Sequence, residues 1–482
     1  MKISDFAVKR PVGILMLVSI VIVLGAVSLG KLPVDLYPEM KFPMAGIIVS
    51  YPGAGPEETE SQVTQPIEEI VGTIGDVKNI YSSTQAGTSM VLVEFNWGKD
   101  MDFAGLEIRE KVDLIKGYLP EGVDTPMVVK MDPSMMPIVQ IGMSGPKDLV
   151  ELKTIAEEEF KSTLERIPGV ASVTITGGLT REVQVQLDPI KLQNYGLSLA
   201  QVTQVLRSDN FNQSAGEVTD AQKKLFVRSL AEFESIEEIR NLPLISMAGS
   251  TIYLRDVAEV TDGFKDQTQL TRMNGKPSIG IHIQKQSDAN TVEIVDKLKQ
   301  EIDQLRSRLP QDIEIEYSFD QSQFINQSIS TVQRSAVEGA VLAVLVIFLF
   351  LRNIRSTFII SVAIPLSIIS TFILMYFAGI TFNLVSMGGL ALGIGRMVDD
   401  SIVVLECIYR YRKDGYSLYE AARLGASEVG NAVMASTFTT MAVFLPIVFI
   451  EGLSAEIFRD LALTVSFAIF SSLLVALTLV PM

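Results

Sequence analysis

The pattern of apolar and polar positions divides the chain into two unlike regimes. Residues 11–30 form an apolar run with no charge inside it. A helix needs roughly 20 such residues to cross a hydrocarbon core. Residues 31–334 are rich in Asp, Glu, Lys and Gln, and apolar runs then return at 335–351, 356–378, 382–405, 431–450 and 461–481. The pattern predicts six membrane-spanning helices, with one large polar block between the first and the second. Pro365 inside the third run is compatible with a span, because neighbouring helices can satisfy the backbone groups it frees. Lys2, Lys9 and Arg10 precede the first run as they would in a cleaved signal. The run is longer than a signal's usual apolar core, however, and Lys31-Leu32-Pro33 lacks a small-residue cleavage pattern, so a retained helix is expected.

Inside the polar block, strand and helix patterns alternate. Residues 46–51 read as a strand, 56–71 as a helix opened by Pro56-Glu57-Glu58, 77–85 and 89–95 as strands paired around Ala86-Gly87, and 101–118 as a second helix. The order then recurs: a strand at 138–143, a helix at 149–166, and strands at 170–176 and 182–187 paired around Gly177-Gly178. Each first helix ends in a similar turn, Ile74-Gly75-Asp76-Val77 and Ile167-Pro168-Gly169-Val170. The second unit resumes at 278–286, 291–308 and 313–317 after an insertion near 209–276. This is an internal repeat of the split β-α-β, ferredoxin-like kind. The fold class expected is a polytopic α-helical membrane protein with an α+β outer domain built from two such repeats. Fold alone says little about function, but two units side by side create a cleft where ligands bind.

Lys and Arg in short loops set orientation. Lys2, Lys9 and Arg10, the turn at 352–355, and the segment carrying Arg410, Arg412, Lys413 and Arg423 all fall on one side if there are six spans. That side is the cytoplasm, and the polar block lies outside. The net charge of −16 sits mainly in this block and argues against nucleic acid as a partner. The single cysteine, Cys407, lies in an apolar stretch, so the block holds no disulfide. One histidine, His282, between two isoleucines, and one cysteine supply no zinc cluster. His282 reads as a strand residue. No nucleophile–base arrangement or phosphate loop supports an enzyme.

The informative segment is Gly388-Gly389-Leu390-Ala391-Leu392-Gly393-Ile394-Gly395-Arg396-Met397-Val398-Asp399-Asp400-Ser401. It places three ionisable side chains within the fourth span. On insertion scales each costs about 2.5–3.5 kcal/mol, so the trio costs roughly 8–10 before any pairing. Adjacent aspartates on a helix point about 100° apart, which lets them face two neighbours. Desolvation and mutual repulsion favour their protonation and a nearby cation opposes it, the balance a proton relay needs. The plainer alternative is a static ion pair of Arg396 with Asp400 at i,i+4 or Asp399 at i,i+3. The glycines at 388, 389, 393 and 395 serve close helix packing or a hinge. Met135-Met136 suggests a thioether metal site, against which stands a loop filling an apolar gap.

End to end, the chain resembles the N-terminal half of resistance-nodulation-division transporters, hydrophobe/amphiphile efflux branch. The match runs through Phe6-Ala7-Val8-Lys9-Arg10-Pro11, Leu32-Pro33-Val34-Asp35-Leu36-Tyr37-Pro38, Tyr51-Pro52-Gly53-Ala54-Gly55-Pro56-Glu57-Glu58-Thr59-Glu60 and Val398-Asp399-Asp400-Ser401-Ile402-Val403-Val404-Leu405-Glu406. The resemblance implies a multidrug efflux antiporter of the bacterial inner membrane. Its substrates would be amphiphilic drugs, dyes or detergents, driven out by the proton gradient with no cofactor or metal. It assigns Asp399 and Asp400 to the relay and puts Met135 and Met136 near a substrate pocket. It also implies a homotrimer, with a periplasmic adaptor and an outer-membrane channel as partners. The expected organisation is a cytoplasmic N-terminus and first span at 1–32, a first porter subdomain at 33–134, a second at 135–325 with a docking-type insertion at 209–276, and the remaining spans at 326–482. The family's full chain has two homologous halves, and the relay's usual lysine lies in the second. This chain is then a fragment, or a half-transporter that pairs with a second half-chain. Arg396 stands where relatives carry an apolar residue; it either replaces the absent cation or impairs the relay. Cys407 stands where relatives commonly carry asparagine and is expected to pack as a small apolar residue. The competing class is a protein-translocation assistant of the same superfamily, whose outer block is shorter and not duplicated. A non-transporting lipid or sterol sensor would leave the aspartate pair without work.

Overall fold

The computed structural model describes residues 2–482 apart from 39, 41, 211–212, 221–222, 230–231, 248–249, 288, 311 and 353. Asn353, in the expected cytoplasmic turn, therefore lies outside the described residues. The first apolar run forms α1 (Pro11–Lys31), started by Pro11 at its first turn, where a missing N–H costs nothing.

The first outer unit is a four-stranded antiparallel sheet with two helices on one face. Its elements are β1 (Met44–Ser50), α2 (the consecutive helical pieces Pro56–Thr59, Glu60–Thr64 and Gln65–Val71), β2 (Val77–Gln85), β3 (Thr88–Phe95), α3 (Met101–Ile115) and β4 (Met127–Lys130). The sheet order is β2-β3-β1-β4. Ala45, Ile47 and Val49 of β1 alternate onto the helix face and are fully buried with Val63, Ile67, Ile108 and Phe95. Asp100 caps α3 by accepting from the Asp102 and Phe103 amides at 2.8 and 3.2 Å. The predicted β2–β3 hairpin forms, with Gly87 at φ +71° in its turn. The edge strand β4 has no counterpart in the sequence pattern. Four residues beside Pro126 are too few to show an alternation.

The second unit repeats the arrangement. It contains β5 (Val139–Ser144), α4 (Leu149–Ile155, Ala156–Lys161 and Ser162–Leu164), β6 (Val170–Gly177), and, after the insertion, further strands and a helix. Here the expected hairpin is corrected. β7 (Arg181–Leu187) does not pair with β6; it pairs with β8 (Ala258–Phe264) in a separate two-stranded sheet. The partner of β6 is β9 (Ile279–Lys285), with Ile281 opposite Ile175. β9 carries Ile279, Ile281 and Ile283 on one face, all fully buried, whereas β7 offers half-exposed valines among charged residues. Interior sheet positions select the strand with the continuous apolar face. Consecutive glycines in left-handed geometry, Gly177 at φ +78° and Gly178 at φ +75°, turn the chain out of the sheet. The inserted unit has its own core, from Leu197 and Val202 to Leu254 and Val260. α5 (Thr291–Arg308) and β10 (Glu314–Asp320) complete the second unit, whose order β10-β5-β9-β6 reproduces that of the first. The two matching turns before β2 and β6 place Asp76 at φ +67° and Gly169 at φ +97°, the same left-handed position in each repeat.

The remaining helices are α6 (Gln321–Leu351), α7 (Ile354–Phe377), α8 (Leu384–Lys413), α9 (Leu418–Phe444) and α10 (Leu453–Thr478). Among the described residues, five helices are long and apolar enough to cross a membrane: α1, α6, α7, α9 and α10. α8 has the length but not the composition, because Arg396, Asp399 and Asp400 sit within it.

Candidate functional site

α8, which carries Arg396, Asp399 and Asp400 near its middle, contacts α6, α7, α9 and α10. Its start is set by Asn383, whose carboxamide oxygen accepts from the amides of Val385 and Ser386 at 2.9 Å each. Two of the four predicted glycines explain its contact with α10. A Cβ at Gly389 would lie 2.9 Å from the Leu461 carbonyl oxygen, and one at Gly393 would lie 2.6 Å from Ala468 Cβ. Gly388 and Gly395 face open space. The glycines at 389 and 393, one turn apart, are a packing groove. A turn further on, Ser472 of α10 donates to the Met397 carbonyl at 2.7 Å.

Beyond this packed stretch the two aspartates separate as helix geometry requires. Asp400 points into the bundle and is 7% exposed. The Thr437 hydroxyl of α9 lies 3.3 Å from its Oδ2 and also donates to the Val433 carbonyl at 2.9 Å, so the carboxyl receives little from it. Asp399 points outward, its side chain 53% exposed, and accepts from Arg396 Nη1 at 2.9 Å. Arg396 also donates through Nη2 to Ser436 Oγ of α9 at 3.2 Å. Of the two static pairings open to Arg396, the i,i+3 one forms, and Asp400 is left out of it. The arrangement has one buried carboxyl against a hydroxyl and one exposed carboxylate held by a cation. A proton can be taken up at the first without breaking the second's ion pair.

Sequence reasoning does not single out Thr437 or Ser436. Their signal lies in the hydroxyl run Ser436-Thr437 and Thr439-Thr440 within the otherwise apolar stretch 432–450. Cys407 is buried as expected, yet its surroundings are polar. Its thiol lies 3.6 Å from Glu428 and 3.4 Å from Arg410, beside their 2.7 Å ion pair. It therefore does not simply pack as an apolar residue.

Met135 and Met136 lie far from this cluster, in the loop between β4 and β5. They are 47% and 70% exposed, so they fill no apolar gap. Both line a cleft of about 830 Å³ with Met40, Met101, Met131 and Trp97, bounded by residues of both outer units and of the helix connections. Gln284 of β9 fixes the loop by donating to the Met135 carbonyl at 2.5 Å. His282 sits in β9 as expected, its Nε2 2.9 Å from the Thr176 hydroxyl, and burial holds its pKa below the ordinary imidazole value. Among the described residues no group of three or more His, Cys, Asp or Glu is disposed to hold a metal ion.

A family model described as the AcrB/AcrD/AcrF family matches residues 3–482. The chain is 33% identical over its whole length to a protein named multidrug resistance protein MdtC from Pectobacterium carotovorum. It is 34% identical to the protein of that name from Cronobacter sakazakii and 32% to that from Yersinia enterocolitica. Each match covers 100% of this chain and 47% of the relative, so the chain spans about half the length of the curated relatives it matches.

Proposed function

The chain belongs to the AcrB/AcrD/AcrF family, and from that premise we propose that it is a subunit of a proton-driven antiporter exporting hydrophobic or amphiphilic compounds such as drugs, dyes or detergents. Asp400 and Asp399 form the relay, with Arg396 as charge partner. The observation that carries the reading is a buried Asp400 carboxyl with one weak hydroxyl contact, inside a bundle of apolar helices. A charge kept there at a cost of about 2.5–3.5 kcal/mol marks an ion path more often than a scaffold. One proton moving inward supplies about 2.3 kcal/mol per 100 mV of membrane potential.

Several features favour the finer organisation. α8 is taken as the fourth of six spans, because helices that can cross a membrane surround it. The 3.1 Å pair of Asp5 with Arg423 puts the N-terminus and the basic 410–423 segment at one end of the bundle, the cytoplasmic end under the positive-inside rule. The outer units, at 33–134 and 135–325, are read as ferredoxin-like porter subdomains, and their shared β-α-β-β-α-β order supports this. The Arg396–Asp399 pair lies on a face these helices leave uncovered, which favours completion by a second half or half-chain. A homotrimer of the inner membrane engaging an adaptor and an outer-membrane channel is the assembly proposed. The methionine-lined cleft, with Met135 and Met136, is the proposed substrate pocket. Duplicated outer units favour export over the protein-translocation reading.

The test is a dye-accumulation assay at matched expression. Asp400→Asn and Asp399→Asn are expected to abolish export. Arg396→Met is expected to lower it about tenfold, equivalent to about 1.4 kcal/mol. Full export from Asp400→Asn overturns the relay, and a secretion defect without a dye phenotype supports the translocation reading instead.

A further inference from the structure

Residues 33–36, directly after α1, form an extended strap wedged between the helix bundle and the second outer unit. On its membrane side the strap is stitched to the lead-in of α8. Phe382 N–H donates to the Pro33 carbonyl at 2.8 Å, Asp35 N–H to the Phe382 carbonyl at 3.3 Å, and Leu384 N–H to the Leu36 carbonyl at 3.2 Å. On its outer side, the Thr291 N–H donates to the Val34 carbonyl at 3.2 Å. Asp35 Oδ1 accepts from Thr291 Oγ1 at 2.6 Å and lies 2.8 Å from Lys285 Nζ. The Lys285 and Asp35 side chains are 7% and 17% exposed. Lys285 spends another donor on the Ala289 carbonyl at 2.9 Å.

These contacts join rigid parts. Lys285 is the last residue of the interior strand β9, and Thr291 is the first of α5, whose Ile294, Val295 and Leu298 lie in the second unit's core. Asn383, fully buried, caps α8 and also donates to Asp460 Oδ2 of α10 at 2.8 Å, so α8 and α10 are tied where the strap meets them. From there to Asp400, α8 rises about 26 Å at 1.5 Å per residue, clamped to α10 by the Gly389 and Gly393 groove. A helix clamped over this stretch is suited to carry a displacement of its middle to its end.

We infer that the strap is the link through which the state of α8 reaches the second outer unit, with Asp35 as its positioning residue, anchored to Lys285 and Thr291. A buried, charge-assisted junction suits the task because it resists sliding, whereas an apolar contact of the same area would slip. The inference rests on the transport reading for its purpose but not for its test.

The test compares backbone hydrogen exchange over 286–296 in the complete native transporter, wild type against Asp400→Asn, at one pH. The same comparison is made in the Asp35→Leu/Lys285→Leu background, where an apolar pair replaces the ion pair and folding is retained. The expected result is an exchange change of about fivefold or more on Asp400→Asn in the wild-type background, largely lost in the double variant. Thr291→Val, which removes one hydroxyl and leaves the charges, is expected to give a smaller loss. The inference is overturned if exchange is the same in wild type and Asp400→Asn, or if the change survives undiminished in the double variant. Dye export measured alongside separates the two readings. A wild type that exports nothing refutes the transport function, while the exchange arm still judges the strap.

Discussion

Asp35 at the strap and Asp400 in α8 are both largely withdrawn from water, and their surroundings differ. At the strap, Asp35 has a lysine at 2.8 Å and a threonine hydroxyl at 2.6 Å on the same oxygen. In the middle of α8, Asp400 is more deeply buried and has one hydroxyl at 3.3 Å that is shared with a backbone carbonyl. Arg396, one turn away, could have neutralised it and instead turns outward to Asp399. A buried charge that is fully paired holds two elements in register, and changing its protonation would break the junction. A buried carboxyl left short of partners is one whose charge can change without dismantling its neighbours. The difference fits the opposite jobs proposed for the same functional group, transmission at Asp35 and titration at Asp400.

Stability measurements can break that contrast. Asp35→Ala strands Lys285 as an unpaired buried cation and is expected to cost about 3–5 kcal/mol. Asp400→Leu is expected to cost nothing or to stabilise, while abolishing export. Equilibrium unfolding in detergent, or thermal melting where unfolding is irreversible, checks both; a comparable loss from Asp400→Leu would erase the distinction.

The α8–α10 groove between the two carboxyls gives a smaller effect. Gly393→Val places methyls against Ala468 and is expected to cost about 1–3 kcal/mol as overpacking. Gly395→Ala, in open space, is expected to gain about 1 kcal/mol at most through helix propensity. Equal effects of the two, read from the same melts, would mean that the helices do not touch there.

The smallest effect sharpens the comparison with a third group. His282, like Asp400, has one hydroxyl partner, and burial lowers its pKa from the ordinary 6.5, so its neutral form is favoured. The folded state then binds its proton less readily than the unfolded chain does. Its contribution is complete above pH 6.5 and is lost as pH falls below that value toward the folded pKa. Urea midpoints at pH 7.5 and 5.5 are expected to differ less in His282→Gln than in wild type. An identical pH dependence would remove His282 from the account.

Much of the fold is legible in the residue pattern. Apolar runs announce the helices, Ala86-Gly87 announces the β2–β3 turn, and three ionisable residues in one apolar stretch announce α8 as the unusual helix. What the pattern misses are non-local choices. The β6 partner lies about a hundred residues downstream, and only the competition for an interior sheet position selects β9 over the adjacent β7. Edge strand β4 is too short to show a period. Thr437, Lys285 and Thr291 are ordinary residues whose roles depend on what they meet.

Hydropathy, period and desolvation are local properties of the chain, so the order of residues alone says where apolar surface must be buried and where charge would be expensive. Tertiary structure alone decided which of the two adjacent aspartates is buried, which one Arg396 holds, and which lysine meets Asp35. Those outcomes depend on helix rotation and on contacts between residues hundreds of positions apart, and no local pattern encodes either.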